Sequence, residues 1–194
     1  MLHQDCLLLR MVKIDWESAD PSIRELLSRE AQSFEFKRDQ LIVEAGKMCN
    51  HLYLIESGMT RNFYYDPKGN DITHWFSGQG ALVTSPPSFF KREPSPFRIE
   101  AIVDTQARAL THDQLERAYQ TIPQLERFVK EVVIETMITL GRKIIDLQTK
   151  SAEERYNDLL ETHPNIFQKA KLGHIAGYLG ITQQSLSRIR AGKS

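Results

Sequence analysis

A short polar stretch near the C-terminal end carries the side chains best suited to reading another molecule. Gln183, Gln184, Ser185, Ser187 and Arg188 lie close together in a run without acidic residues. Glutamine can form two hydrogen bonds with adenine, arginine can form two with guanine, and serine can bind phosphate. These residue types indicate recognition of double-stranded DNA, provided that one helix presents them together.

The neighbouring residues predict two short helices around a tight turn. The apolar stripe of the first helix consists of Leu172, Ile175, Ala176 and Leu179. Gly180 can adopt the left-handed conformation that ends a helix, Ile181 fills the angle between the helices, and Thr182 can cap the second helix. Leu186 and Ile189 then point inward. This pattern is typical of a helix-turn-helix, and the alternative is a helical hairpin that only stabilises another part of the fold.

The charge of this segment agrees with a polyanionic partner. From residue 169 onward the charged residues are all basic: Lys169, Lys171, Arg188, Arg190 and Lys193. The formal net charge of the whole chain is zero, so total charge favours no particular partner. A basic segment can attract phosphates, whereas the alternative is a solvated helix face. We expect Lys171 and Lys193 to contact DNA phosphates.

The first two thirds of the chain has a different texture. Asp20 and Pro21 predict a helix start, and residues 34–110 then form short β-branched or aromatic runs separated by turn residues. The clearest strands are 40–43, 51–55 and 60–65, and residues 66–69 suit a tight hairpin turn. This alternation predicts a β-sandwich or barrel.

A long helix is predicted from Pro123 to Gln148. One row of residues along it falls on steps of three, four or seven: Val129, Val133, Thr136, Leu140 and Leu147. A neighbouring row consists of Leu125, Phe128 and Val132. A helix of roughly 26 residues is about 39 Å long, which is more than one small domain covers. The spacing therefore indicates a dimer seam, the alternative being a helix packed only on its own barrel.

Local signals divide the rest of the chain. Thr111 can cap a helix over residues 113–119, Ser151 and Glu154 form a capping box, and His163-Pro164 ends the helix that follows. We therefore expect a ligand-sensing domain over residues 1–122, a dimerisation helix over 123–150 and a DNA-binding domain over 151–194.

Three segments resemble the Crp/Fnr (catabolite activator) regulators, most closely their Bacteroidetes-type branch. These segments are 51–58, 154–156 and 175–190. The resemblance implies an α+β fold with a cyclic-nucleotide-binding-like β jelly roll, a long dimerisation helix and a C-terminal helix-turn-helix. Only about seven residues separate Pro164 from Leu172, so the β-hairpin wing of many relatives is expected to be reduced or absent.

The resemblance also implies roles for individual residues. The family's base-reading positions fall on Gln183, Gln184, Ser187 and Arg188, with Thr182 and Ser185 completing the DNA-binding set. Arg188 matches the family's usual arginine. Gln184 replaces a common glutamate, so the operator sequence of relatives cannot be carried over.

The cyclic-nucleotide cassette departs from the family pattern. Family members that bind cyclic nucleotides have a Gly-Glu pair and an arginine for the cyclic phosphate, but this chain contains no Gly-Glu and has Ser95-Pro96 at the arginine position. Cyclic AMP is therefore disfavoured, which leaves another small ligand or none. The expected pocket residues are Thr84, Ser85, Arg92, Arg98, Thr136 and Thr139.

Catalysis and metal binding are not expected. The six histidines form no His-x-His pair, and the chain has no nucleophile elbow and no phosphate-binding loop. The most concrete function is a DNA-binding transcription regulator that pairs with itself, with RNA polymerase as a further partner. The alternative is a ligand-binding module without specific DNA activity, which a degenerate recognition helix would have indicated.

The expected location is the cytoplasm. Cys6 and Cys49 are too few for a disulfide framework, which suits a reducing compartment. Leu7–Leu9 is followed at once by Arg10, unlike a signal peptide. No apolar run approaches the roughly 18 residues of a membrane span, so no membrane partner is expected.

Overall fold

The computed structural model describes residue 16 and residues 19–192. The features expected at Cys6, Leu7–Leu9, Arg10 and Lys193 lie outside these residues. The helices are α1 (Pro21–Glu30), α2 (Pro86–Lys91), α3 (His112–Thr121), α4 (Pro123–Thr149), α5 (Ala152–Thr162), α6 (Ile166–Lys169), α7 (Leu172–Leu179) and α8 (Gln183–Arg190). The strands are β1 (Gln32–Phe36), β2 (Leu41–Val43), β3 (His51–Ser57), β4 (Met59–Tyr65), β5 (Asp71–Gly78), β6 (Leu82–Val83), β7 (Arg98–Ala101) and β8 (Thr105–Thr111).

The strands form two antiparallel four-stranded sheets. Their orders are β1-β8-β3-β6 and β2-β7-β4-β5. Phe36, Tyr53 and Ile55 from the first sheet pack with Val43 and Ile99 from the second, which gives the jelly roll its buried centre. The predicted β-sandwich is confirmed.

Two turns explain how the chain moves between strands. At Gly58 (φ 97°) an added Cβ would lie 2.4 Å from the Thr105 hydroxyl oxygen, so only glycine fits between β3 and β4. The β4–β5 hairpin closes through Asp66, whose carbonyl accepts from the Gly69 amide at 2.9 Å, as the sequence predicted.

The predicted helix starts are confirmed by their caps. Asp20 accepts the Ser22 amide ahead of Pro21, and Thr111 forms a capping box with Gln114. Ser151 and Glu154 form the expected capping box, and α5 ends before His163. The short helix α6 was not predicted, because it occupies the few residues assigned to a connection.

α4 packs into the core through its first two turns and carries an exposed apolar face beyond them. Leu125 is buried with α1 and α3, and Phe128 and Val129 are partly buried in the same cluster. Beyond them, large apolar side chains are exposed to solvent: Val133, Ile134, Met137, Ile138, Leu140, Ile144, Ile145 and Leu147. Among the described helices, none combines the length and the apolar character that a membrane span needs.

The C-terminal helices share a hydrophobic core with the jelly roll. Met59, Phe76 and Ile102 of the sandwich are buried together with residues of α5 to α8. The ring of Phe76 lies 5.1 Å from that of Tyr178, centroid to centroid. Within residues 151–192 no β-strand is found, so this region carries no β-hairpin wing in its described part.

Candidate nucleic-acid interface

The start of α8 is fixed by its own side chains. The Thr182 hydroxyl accepts the Ser185 amide at 3.1 Å and lies 2.9 Å from the Ser185 hydroxyl. Capping in this way satisfies one of the free amides of a helix start and sets the direction of the helix. The following polar residues are therefore carried on a well-defined first turn.

The two faces of α8 differ sharply in burial. Leu186 is fully buried and Ile189 is half-buried, so these residues attach the helix to the core. The polar residues of the candidate recognition set are exposed, with Ser185 half-exposed: Thr182, Gln183, Gln184, Ser185, Ser187 and Arg188. Arg188 forms no ion pair within the described residues. The structure thus gathers these six side chains on one accessible helix.

α7 gives α8 its support. Gly180 has φ 69°, and the Ile181 amide donates to the Ala176 carbonyl at 3.0 Å, which ends α7 as the sequence predicted. Arg155 of α5 donates to the Leu179 carbonyl at 3.0 Å. These bonds set the angle between α7 and α8.

α7 also lies directly on strand β5. A Cβ at Gly177 would lie 3.0 Å from the Thr73 amide nitrogen and 3.3 Å from the Asp71 carbonyl oxygen. The backbones of α7 and β5 are therefore about as close as glycine permits. Sequence reasoning missed this contact, because a glycine within a helix does not identify the strand it faces.

Lys143 connects three elements at this contact. Its ammonium group donates to the His74 carbonyl on β5 at 2.6 Å and lies 3.6 Å from the Tyr178 ring centroid on α7. Burial lowers the pKa of Lys143 to about 7, and burial together with the nearby Lys143 charge lowers the pKa of His74 to about 4. Sequence reasoning missed this lysine, which stands among apolar residues of the long helix.

A buried arginine supports the sheet close to α7. Arg61 binds Glu100 at 2.7 Å, both oxygens of Asp71, and the Thr73 hydroxyl at 2.8 Å. Burial alone would lower the pKa of Arg61, but its hydrogen bonds to the two carboxylates raise it. Burial, followed by the Arg61 charge, lowers the pKa of His174 on α7 to about 4. The histidine therefore stays neutral beside the permanent guanidinium charge.

The cassette region differs from a phosphate cradle. Ser95, at the position where family members have arginine, is buried, and its hydroxyl lies 2.8 Å from the Ser85 hydroxyl and 2.7 Å from the Phe97 carbonyl. Ser88 at the start of α2 accepts the Cys49 amide at 2.7 Å. The serines of this loop are thus hydrogen-bonded within the protein.

The other expected pocket residues do not converge on one site. Thr84 donates to the His51 carbonyl and Arg92 donates to Asn50, so these two lie near the same loop. Arg98 on β7 lies over the ring of Tyr65 on β4, in the sheet that does not contain His51. Thr136 and Thr139 each donate to a carbonyl of their own helix, α4. Within the described residues, no group of three or more His, Cys, Asp or Glu side chains could hold a metal ion.

Comparison with known proteins finds a family match for the jelly roll. Residues 33–122 match the cyclic nucleotide-binding domain family. No curated protein sequence matches the chain significantly. The class defined by this match and by the fold is a cyclic nucleotide-binding domain followed by a long helix and C-terminal helices, which is the Crp/Fnr fold.

Solved structures of low sequence identity share this fold. FixK2 from Bradyrhizobium japonicum is 20% identical with a TM-score of 0.72, and the alignment covers 84% of this chain and 83% of FixK2. The c-di-GMP responsive regulator CLP from Xanthomonas campestris is 14% identical with a TM-score of 0.73, covering 89% and 91%. A Crp/Fnr-family transcriptional regulator from Eubacterium rectale is 18% identical with a TM-score of 0.72, covering 91% and 84%.

Proposed function

We propose that this chain is a DNA-binding transcription regulator of the Crp/Fnr type, in which a small-ligand sensor controls a dimeric helix-turn-helix. The observation that carries the proposal is the exposed polar face of α8, which is capped, free of acidic residues and attached to the core by Leu186. Such a face suits the major groove of DNA.

The proposal assigns one role to each part of the chain. Residues 1–122 sense the ligand, residues 123–150 form the dimerisation helix and residues 151–194 bind DNA. The partners are double-stranded DNA, a second copy of the chain and RNA polymerase, in the cytoplasm. The shared core of Met59, Phe76 and the C-terminal helices supports direct coupling between sensing and binding.

Base reading is the first part of the proposal to test. We expect selection from random duplexes to yield an operator and Arg188→Ala to weaken binding to it by about 1–3 kcal/mol while relaxing preference at one base pair. Binding isotherms on the operator and on a scrambled duplex measure both effects.

Arg190→Ala is the matched control, because Arg190 is an exposed arginine two positions along α8 and points in a different direction. Arg190→Ala should weaken binding to the operator and to the scrambled duplex by similar factors, as the loss of a phosphate contact does. Equal losses on both duplexes for Arg188→Ala would contradict base reading. If selection gives no preferred sequence for the wild type, the ligand-binding module becomes the better function.

The ligand is expected to be something other than a cyclic nucleotide. The buried Ser95 and Ser85 bond within the protein, and no arginine stands at the family position to pair with a cyclic phosphate. Titration calorimetry with cyclic AMP should therefore give no binding at micromolar concentrations. Micromolar binding that is lost in Arg92→Ala or Arg98→Ala would show that one of these arginines replaces the missing one.

A further inference from the structure

An ion pair joins the jelly roll to the start of the helix-turn-helix. The Lys171 ammonium lies 2.8 Å from the Asp39 carboxylate, although 132 positions separate the two residues. Asp39 lies in the turn between β1 and β2, and Lys171 immediately precedes α7. The Lys171 and Asp39 side chains are 53% and 49% exposed. Another ion can therefore reach either side chain from solvent and take the place of its partner.

The backbone of the turn fixes where Asp39 stands. Its φ of 65° lies in the left-handed region, which aspartate tolerates better than most residues, and its amide donates to the Ala101 carbonyl at 2.8 Å. The Gln40 amide donates to the Lys37 carbonyl at 3.0 Å, and the Gln40 side chain accepts the Lys37 amide at 2.8 Å. The carboxylate is therefore carried by a well-bonded turn of the jelly roll, independently of Lys171.

Lys171 occupies the end of α7 where an anion is favoured. The amide end of a helix carries partial positive charge, and the first turn of α7 contains no acidic side chain. A carboxylate oxygen and a phosphate oxygen offer an ammonium group the same charge-assisted hydrogen bond. While Asp39 is bound to Lys171, the carboxylate already compensates the lysine charge, and that lysine attracts a DNA phosphate less strongly.

We propose that Asp39 is an internal competitor of DNA phosphate for Lys171, and so lowers the affinity of the regulator for all DNA sequences alike. This inference rests on the proposed DNA-binding function. Asp39 belongs to the sensor, so a sensor movement that withdraws the β1–β2 turn would free Lys171 for DNA.

The test compares Asp39→Asn with the wild type in fluorescence anisotropy titrations. The full-length protein binds a labelled operator and a labelled scrambled duplex at 50, 100 and 200 mM KCl. Because the ion pair is solvent-exposed, we expect Asp39→Asn to bind both duplexes about two- to fivefold more tightly. The slope of log affinity against log salt should become steeper by about one, since one more phosphate is neutralised.

Three controls make the result specific. Asp104→Asn removes the same charge from a neighbouring residue that pairs with Lys37 instead, and it should have a smaller effect. Lys171→Gln should weaken binding, and adding Asp39→Asn to Lys171→Gln should give no gain. Equal gains from the two aspartate variants, or a gain that survives in Lys171→Gln, would overturn the proposal in favour of a general charge effect. Failure of the wild type to bind any duplex would instead contradict the DNA-binding function.

Discussion

At the scale of single residues, Lys143 is an ionisable side chain held between three elements, α4, β5 and α7. The Lys143 side chain extends from α4, donates a hydrogen bond to the His74 carbonyl on β5 and lies over the Tyr178 ring on α7. Neutral His74 and Tyr178 contact it, and Asp146, Arg155 and Asp158 line a small cavity that Lys143 also lines. A charged amine in this position is poorly solvated, which is why its pKa falls to about 7 from 10.5.

The depressed pKa of Lys143 predicts a rise in stability with pH. Between pH 7 and pH 10.5 the unfolded chain binds this proton more tightly than the folded chain does, so raising the pH favours the folded state. We expect the free energy of unfolding to rise by about 1 kcal/mol per pH unit between pH 7 and 9, relative to Lys143→Met. Urea denaturation at several pH values measures this difference.

Lys143→Arg provides the control, because arginine keeps its charge throughout the range and should show no such rise relative to Lys143→Met. Parallel pH profiles for the wild type and Lys143→Met would mean that the folded lysine has an ordinary pKa, and hence that the joint between α4, β5 and α7 is open to water.

The exposed residues of the candidate interface could be predicted from sequence because their positions follow local rules. Gly180 and Thr182 fix the ends of adjacent helices, and the inward positions of Leu186 and Ile189 then leave the polar residues outside. The pocket residues could not be placed in the same way. Ser95 and Ser85 meet only after the loop around α2 has folded back, and no periodicity in the sequence encodes that distance.

At the scale of elements, the contact between α7 and β5 is a tertiary feature that the sequence of neither element predicts. Helix starts at Pro21, Pro123 and Ala152 follow from proline and capping residues beside them. The close approach at Gly177 instead depends on which strand lies under α7, and β5 is about 100 residues earlier in the chain. Local patterns therefore predicted α7 but not its contact with β5.

Two glycines of α7 allow this contact to be measured. Alanine at position 177 would place its Cβ 3.0 Å from the Thr73 amide nitrogen, a backbone atom that cannot easily move away. Alanine at position 173 would meet only the end of the flexible Gln183 side chain, at 3.2 Å. Both substitutions gain roughly 1 kcal/mol of helix propensity, so a difference between them reports the contact.

We expect Gly173→Ala to raise the free energy of unfolding and Gly177→Ala to lower it, with a difference of about 1–3 kcal/mol. Chemical denaturation of the two variants measures this difference. Equal stabilisation by both alanines would show that α7 does not rest on β5 in solution.

At the scale of the whole molecule, α4 is the element whose apolar side chains the single chain leaves exposed. The expected seam ran through Val129, Val133, Thr136, Leu140 and Leu147. Val129 is partly buried on the jelly roll, and Leu147 approaches Gly180 of the helix-turn-helix, so the two ends of that row already have neighbours. Met137 and Ile144, which the predicted seam omitted, are 68% and 56% exposed.

The exposed stripe Val133, Met137, Leu140 and Ile144 has the spacing of four, three and four that a partner helix requires. A second copy of α4 packed on this stripe would also bring two α8 helices together, as binding to half-sites about 34 Å apart demands. We therefore expect Val133→Asp/Leu140→Asp to give monomers by light scattering and to lose operator affinity. Gln124→Asp/Gln148→Asp adds the same charge at exposed polar positions of α4 and should remain dimeric. If the first variant is still a dimer, the two copies meet elsewhere, and the spacing of the α8 helices is set by another surface.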